Sequence, residues 1–280
     1  MRKISAGAIT ELVSKLCIEA NTRLRSDIRR AIASALRKET AGRAKKLLQM
    51  LLDNADLALK EHIAICQDTG MAAVFAEIGQ DVHITGGSLE AAVNEGVRRG
   101  YKEGYFRKSV VASPLSRENT GTNTPAILHT EIVPGNSFNI WVMAKGFGSE
   151  NKSAIKMFNP TASEDEIIDF IISVTKEAGP DACPPFVVGV GIGGTFDHAA
   201  HLAKRSLLRE IDKENKDPKL AALEKKLLEK LNKLGTGPMG LGGKTTALGV
   251  TILSTATHIA GLPVAVNISC HATRSAYGRL

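Results

Sequence analysis

Residues 185–194, "PFVVGVGIGG", constrain the fold more than any other stretch of this 280-residue chain. An apolar run without polar alternation describes a strand covered on both faces. Its terminal glycines open into "TFDHAAHLAKRSLLREI", a helical pattern. A buried strand that passes through glycines into a helix belongs to a body in which helices cover a sheet.

The surrounding pattern extends that reading. Residues 5–60 read as helices: "SAGAITELVSKLCIEAN" places Ile9, Leu12, Val13 and Leu16 on one face, and two more helices start near Ser26 and Thr40. After residue 62 the texture changes. "IAICQDTGMAAVFAEIG" reads as strand, turn and strand, "SLEAAVNEGVRRGYKEG" as a helix capped by Ser88, and "TPAILHTEIV" and "SFNIWVMAKG" as strands. "SEDEIIDFIISVTKEAG" carries a capping box, Ser163 to Glu166, with Gly179 just past its end. "ALGVTILSTATHIAG" and "LPVAVNISC" supply the last apolar segments, and no internal repeat is apparent. The expected fold is α+β or α/β: a helical N-terminal region, 1–60, packed on a mixed β-sheet body with surrounding helices. It forms one domain, 1–280, with a charged helical excursion over 204–234.

Charge and leader signals exclude several classes. Residues 1–60 hold 13 Lys or Arg against 6 Asp or Glu, which accounts for the whole net charge of +7. The bases lie on helical stretches without interleaved aromatics or a nucleic-acid-binding motif, so they read as solvated helix faces. Glu11 and Lys15 interrupt what would be the apolar part of a signal peptide, and no stretch approaches 18 uninterrupted apolar residues. The expectation is a cytoplasmic protein with no membrane span and no nucleic-acid partner.

Two glycine motifs invite a nucleotide reading. "GTGPMGLGGKTTALGV", 235–250, resembles a phosphate loop, but counting back from Gly243-Lys244-Thr245 the required first glycine falls on Pro238. A charged helical pattern precedes it where a buried strand should stand. "GVGIGG", 189–194, meets Gly-x-Gly-x-x-Gly between strand and helix, but the residues about 20 positions on read "EIDKE" inside a charged stretch rather than the end of a strand.

Three of the four cysteines have suggestive neighbours. Cys66 precedes "QDTG", Cys183 sits in "DACPP" and Cys270 in "ISCHATR", each read at a strand end, whereas Cys17 lies beside a helical apolar face and reads as core. No Cys-x-x-Cys pair occurs. Three convergent thiolates suit a cubane iron–sulfur cluster with one iron lacking a protein ligand, or zinc with an open position. The spacing alone is equally that of three unrelated buried cysteines. Asp68, two residues from Cys66, is placed to exchange a proton near such a metal, His258 to relay one, and Arg107 to grip a carboxylate.

The motifs "CQDTG", "NTGTNTPA", "AKGFGSENKS", "ACPPFVVGVGIGGTFD", "GPMGLGGKTTALGV" and "NISCHATR" resemble, in order, the alpha subunit of class I, iron–sulfur-dependent fumarate hydratase. They are similar to the L-tartrate dehydratase alpha subunit nearly as well. The resemblance runs from about residue 5 to 280. It implies a [4Fe–4S] cluster on Cys66, Cys183 and Cys270 and reversible hydration of fumarate to L-malate. It implies Gln67, Arg107, Gly146 and Gly148 as substrate-binding residues, and Asp68, with His258 behind it, as the acid side of the proton exchange. It also implies a beta subunit that supplies the proton-abstracting threonine and further Arg and Lys residues, in a homo-oligomer or an α2β2 assembly. The other classes kept open are a zinc-binding and a nucleotide-binding protein.

Overall fold

A computed structural model describes all 280 residues. In chain order the first elements are β1 (Arg2–Ser5), α1 (Ala6–Thr22), α2 (Ser26–Lys38), α3 (Gly42–Glu61), β2 (Met71–Gly79), β3 (Val82–Thr85) and α4 (Leu89–Glu103). Next come β4 (Ile127–Val133), β5 (Phe138–Lys145), α5 (Phe147–Glu150), β6 (Ala154–Phe158) and α6 (Glu164–Ala178). The chain continues with β7 (Phe186–Gly194), α7 (Phe196–Ser206), α8 (Pro218–Asn232), β8 (Ala247–Thr257), β9 (Leu262–Ser269) and β10 (Ser275–Arg279). The expectation of helices with mixed sheets holds. No helix is long and apolar enough to cross a membrane.

The chain divides into two compact units, each drawn from separated stretches. Unit 1 comprises Met1–Arg25, Asn54–Phe147 and Arg274–Leu280, and unit 2 comprises Ser26–Asp53 and Gly148–Thr273.

Unit 1 is built on a four-stranded sheet of order β10-β5-β2-β4. β2 pairs parallel with β4 and antiparallel with β5, which pairs antiparallel with β10. The expected face of α1 buries Ile9, Val13 and Leu16, with Leu12 packed beside them. It shares one core with Val93, Val97 and Tyr101 of α4 and with Val74, Ile140 and Val142 of the sheet. Ser88 caps α4 as expected, its hydroxyl accepting from Ala91 N at 3.2 Å.

Unit 2 has a sheet of order β6-β9-β7-β8. β7 pairs parallel with β8 and antiparallel with β9, which pairs antiparallel with β6. Val188 and Val190 of β7 enter a core with Ile168 and Ile171 of α6 and Leu227 and Leu231 of α8. The alternate residues, Gly189 and Gly191, lie under α7. A methyl group on Gly191 would sit 2.1 Å from the Ala199 carbonyl, so only glycine lets the helix approach this closely. The capping box of α6 forms in full. The charged excursion expected over 204–234 follows the end of α7 at Ser206 and holds one further helix, α8, started by Asp217 and Pro218.

The two sheets share a plan. In each, an inner strand (β2 or β7) leads through a connection containing helix (α4, or α7 and α8) to a parallel neighbour (β4 or β8). The chain then returns along the other edge of that inner strand as an antiparallel neighbour (β5 or β9).

Candidate functional site

In unit 1 the expected site residues gather at the turn that enters β2. Cys66 does not end a strand, contrary to the sequence reading. Residues 62–70 contain no strand, and Ile63, which an alternating strand would pack, is half exposed. Instead Ile65 anchors the turn: its N–H donates to Asn21 O at 2.9 Å, and its carbonyl accepts from Asn54 Nδ2 at 2.9 Å. Beyond Cys66 the turn is held by long-range hydrogen bonds. Arg274 Nη2 donates to Asp68 O at 2.7 Å, Tyr101 Oη to Thr69 O at 2.6 Å and Asn123 Nδ2 to Gly70 O at 3.1 Å. Gly70 adopts φ +73° and passes so close to Lys145 that a methyl group would meet backbone at 2.7 Å.

The Asp68 carboxylate is half buried and oriented by two backbone donors. Oδ1 accepts from Gly70 N at 3.0 Å and Oδ2 from Phe147 N at 2.8 Å. Gly146 lines the same face, since a methyl group there would stand 3.1 Å from Asp68 Oδ2. Arg107 projects into solvent, while its backbone carbonyl accepts from Thr69 Oγ1 at 2.7 Å, which ties it to the same turn. Gln67 is exposed at the turn itself. Asp68, Arg107 and Gly146 are thus brought together within unit 1.

Unit 2 holds Gly148, Cys183, His258 and Cys270. Cys183 closes a one-turn 3-10 helix, Pro180–Ala182, in a left-handed conformation with φ 54°. Its carbonyl accepts from His271 N at 3.2 Å and lies 3.1 Å from His271 Nδ1. The turn bearing Cys183 and the turn bearing Cys270, which follows β9 directly, are therefore joined. Gly148 lies beside the former, 3.6 Å from the Asp181 carbonyl measured from its ideal Cβ. His258 sits in the exposed turn between β8 and β9, with Nδ1 accepting from Ala260 N at 3.2 Å.

The glycine loop of 235–243 serves the Cys183 turn. Met239 N donates to Pro184 O at 2.8 Å, and Gly240 packs on Pro180 so tightly that a methyl group would stand 2.5 Å from its Cβ. Lys244 is exposed. Its N–H donates to Glu39 Oε2 at 2.7 Å, and Nζ lies 3.5 Å from Lys38 O. Burial alone would raise the Glu39 carboxyl, but N–H donors from Ala41, Lys244 and Thr40, with the Lys244 charge, hold it below its ordinary value. Of the "GVGIGG" glycines, Gly189 and Gly191 are likewise occupied in packing β7 under α7, and Gly193 lies against the Thr255 backbone of β8.

No disulfide joins any of the four cysteines. Cys66, Cys183 and Cys270 are partly exposed, whereas Cys17 is sealed in α1 and burial pushes its thiol up to about 12. Cys17 is enclosed in the apolar core of unit 1, out of reach of a cofactor, so the donor set reduces to the three turn cysteines. Within neither unit do three His, Cys, Asp or Glu side chains close on a point suited to one metal ion.

Arg274 escaped the sequence reading. It is 2% exposed, and its Nε and Nη1 are buried without a partner. The available signal was its position four residues after Cys270, just before β10.

Comparison with known proteins places these features in context. A family model described as Fumarate hydratase (Fumerase) matches residues 10–279. A Methanocaldococcus jannaschii protein named "Putative L(+)-tartrate dehydratase subunit alpha" is 40% identical over 278 residues, covering 97% of each chain. An Escherichia coli protein named "L(+)-tartrate dehydratase subunit alpha" is 29% identical over 269 residues, covering 95% of this chain and 88% of its own.

Proposed function

Since the chain belongs to the fumarate hydratase (Fumerase) family, we propose that it is the alpha subunit of an iron–sulfur hydro-lyase whose reaction is reversible hydration of fumarate to L-malate. The observation that carries this reading is the match over residues 10–279, which takes in every motif around Cys66, Asp68, Cys183 and Cys270.

Cys66, Cys183 and Cys270 would hold the [4Fe–4S] cluster. Their fit rests on donor chemistry: three partly exposed cysteines in turns, outside any disulfide, beside a fourth that is sealed. When bound, the cluster supplies a Lewis-acid iron for the oxygens of the substrate.

The chain's own residues would do the rest. Asp68 exchanges the proton. The N–H groups of Gly70 and Phe147 each occupy one lone pair on its two oxygens, fixing the plane of the carboxylate and leaving other lone pairs for the substrate side. Arg107, anchored by its carbonyl, takes a substrate carboxylate through its exposed guanidinium. Gln67 adds an amide, Gly146 keeps a side chain away from the Asp68 carboxylate, and Gly148 offers bare backbone to the substrate. His258, with Nδ1 already accepting, has Nε2 as its proton-carrying atom for a relay. The proton acceptor and the rest of the carboxylate grip come from a beta subunit. The relatives' designation as "subunit alpha" supports that partner.

The relatives' names favour a second reading, L-tartrate as substrate. Both readings ask for a four-carbon dicarboxylate and the same residues. One experiment tests them: anaerobic reconstitution of the chain with iron and sulfide, then assay with and without its beta subunit on fumarate, L-malate and L-tartrate. The expected protein is brown, with about four irons per chain, inactive alone and active when paired. Colourless protein with one zinc, or a paired complex that turns over no dicarboxylate, overturns the proposal. Enzyme-like rates from the chain alone overturn the division of labour.

A further inference from the structure

Three consecutive carbonyls, those of Asp68, Thr69 and Gly70, are each held by a side chain from a distant segment of unit 1. Tyr101 and Asn123 hold the second and third with neutral donors. Only the Asp68 carbonyl is held by a cation. Arg274 is 2% exposed, and two of its donor atoms have no partner. Burying a guanidinium against one neutral carbonyl is expensive, and a neutral amide would meet the same hydrogen bond at lower cost. Fixing the turn alone does not explain a cation at this position.

The surroundings of Gly146 supply the reason. A methyl group there would stand 3.1 Å from Asp68 Oδ2 and 3.6 Å from Arg274 Nη2. The guanidinium and the carboxylate thus flank the same bare backbone, on the side where Phe147 N donates to Oδ2. We infer that Arg274 is a positioning residue for the proposed hydro-lyase: through the Asp68 carbonyl and its buried positive charge it holds the Asp68 carboxylate on the N–H groups of Gly70 and Phe147. The inference rests on the proposed function for its catalytic consequence. Its structural part, the fixing of Asp68, stands on unit 1 alone.

The test uses the full chain, reconstituted and paired with its beta subunit, as wild type, Arg274→Met, Arg274→Lys and Tyr101→Phe. Amide exchange is followed at Gly70 and Phe147. The expected result is that Arg274→Met speeds exchange at both amides and lowers kcat per iron–sulfur centre about tenfold to a hundredfold with little change in KM. Arg274→Lys recovers part of both effects by keeping the charge. Tyr101→Phe, which removes a neutral donor from the next carbonyl, changes kcat less than Arg274→Met. Exchange at Gly70 and Phe147 that stays at the wild-type rate in Arg274→Met overturns the inference, as does a lowered melting temperature with kcat per centre unchanged. If Arg274→Met does not fold, Arg274→Gln, which keeps a donor but removes the charge, carries the test, and wild-type exchange and kcat in that variant then overturn the inference. A wild-type complex that turns over no dicarboxylate defeats the proposed function, and the exchange measurement still decides whether Arg274 fixes Asp68.

Discussion

Replacing Asp68 by Asn keeps the shape of the side chain but swaps one acceptor for an NH2 group, which would then face either Gly70 N or Phe147 N, both donors. The variant loses one hydrogen bond and the exchangeable proton together. Asp68→Asn should lower turnover by about 10²–10⁴-fold while iron content stays at the wild-type level. Loss of iron along with activity would make Asp68 a structural residue of the site. Cys17 offers a test without catalysis. Burial lifts its thiol from 9.0 to about 12, so above pH 9 the unfolded chain releases a proton that the folded chain retains. Stability from this residue is fully present below pH 9 and falls as pH rises toward 12, by about 1.4 kcal/mol per pH unit. Tyr101, raised chiefly by burial, acts in the same direction. Urea midpoints from pH 8 to 11 should fall less steeply in Cys17→Ala than in wild type, and equal slopes would refute the assignment.

At the scale of elements, Gly191 tests why "GVGIGG" exists. Its absent side chain faces the Ala199 carbonyl and Ala203 N, both backbone, which cannot give way as a flexible side chain would. Gly191→Ala should destabilise the protein by about 1–3 kcal/mol or more, read as a drop of several degrees in the melting temperature. An unchanged melting temperature would return the motif to ligand binding. The capped helices were legible because their signals are local: Ser88, and Ser163 with Glu166, act within one turn. β6 and β10 were not. Each is 5 residues long, and β10 acquires its identity from β5, more than 130 positions earlier in the chain. The strand expected at Cys66 failed because an apolar "IAIC" carries no information about the three distant donors that shape the turn after it. The shared plan of the two sheets has no sequence signature at all, yet it organises the candidate residues. The turn entering the inner strand, β2 or β7, bears Asp68 in one unit and Cys183 in the other. In each case the second residue beyond the antiparallel neighbour, Phe147 or His271, donates its N–H to that turn.

At the scale of the molecule, the motifs that signalled chemistry are distributed over both units. Cys66, Asp68 and Arg107 belong to unit 1, and Cys183, His258 and Cys270 to unit 2. The family was legible from motif order across the whole chain rather than from any one motif, and the two glycine patterns that looked most diagnostic of nucleotide binding include glycines taken up in packing. Arg274 was invisible for the opposite reason: its burial and its bond to Asp68 arise from a contact spanning 206 positions.

That span has a consequence for how the protein is made. Unit 1 is begun by the first 25 residues and finished by residues 274–280. Translation therefore delivers α1, β2, α4, β4 and β5 long before β10, whose Ala276 completes their core, and before Arg274, which fixes the Asp68 turn. The nascent unit waits with the outer edge of β5 unpaired while residues Gly148–Thr273, the larger part of unit 2, are synthesised. An unpaired strand edge is an invitation to wrong partners. The closing strand is therefore also a timing device, since the turn that carries Asp68 cannot acquire its final shape until nearly all of these residues have left the ribosome.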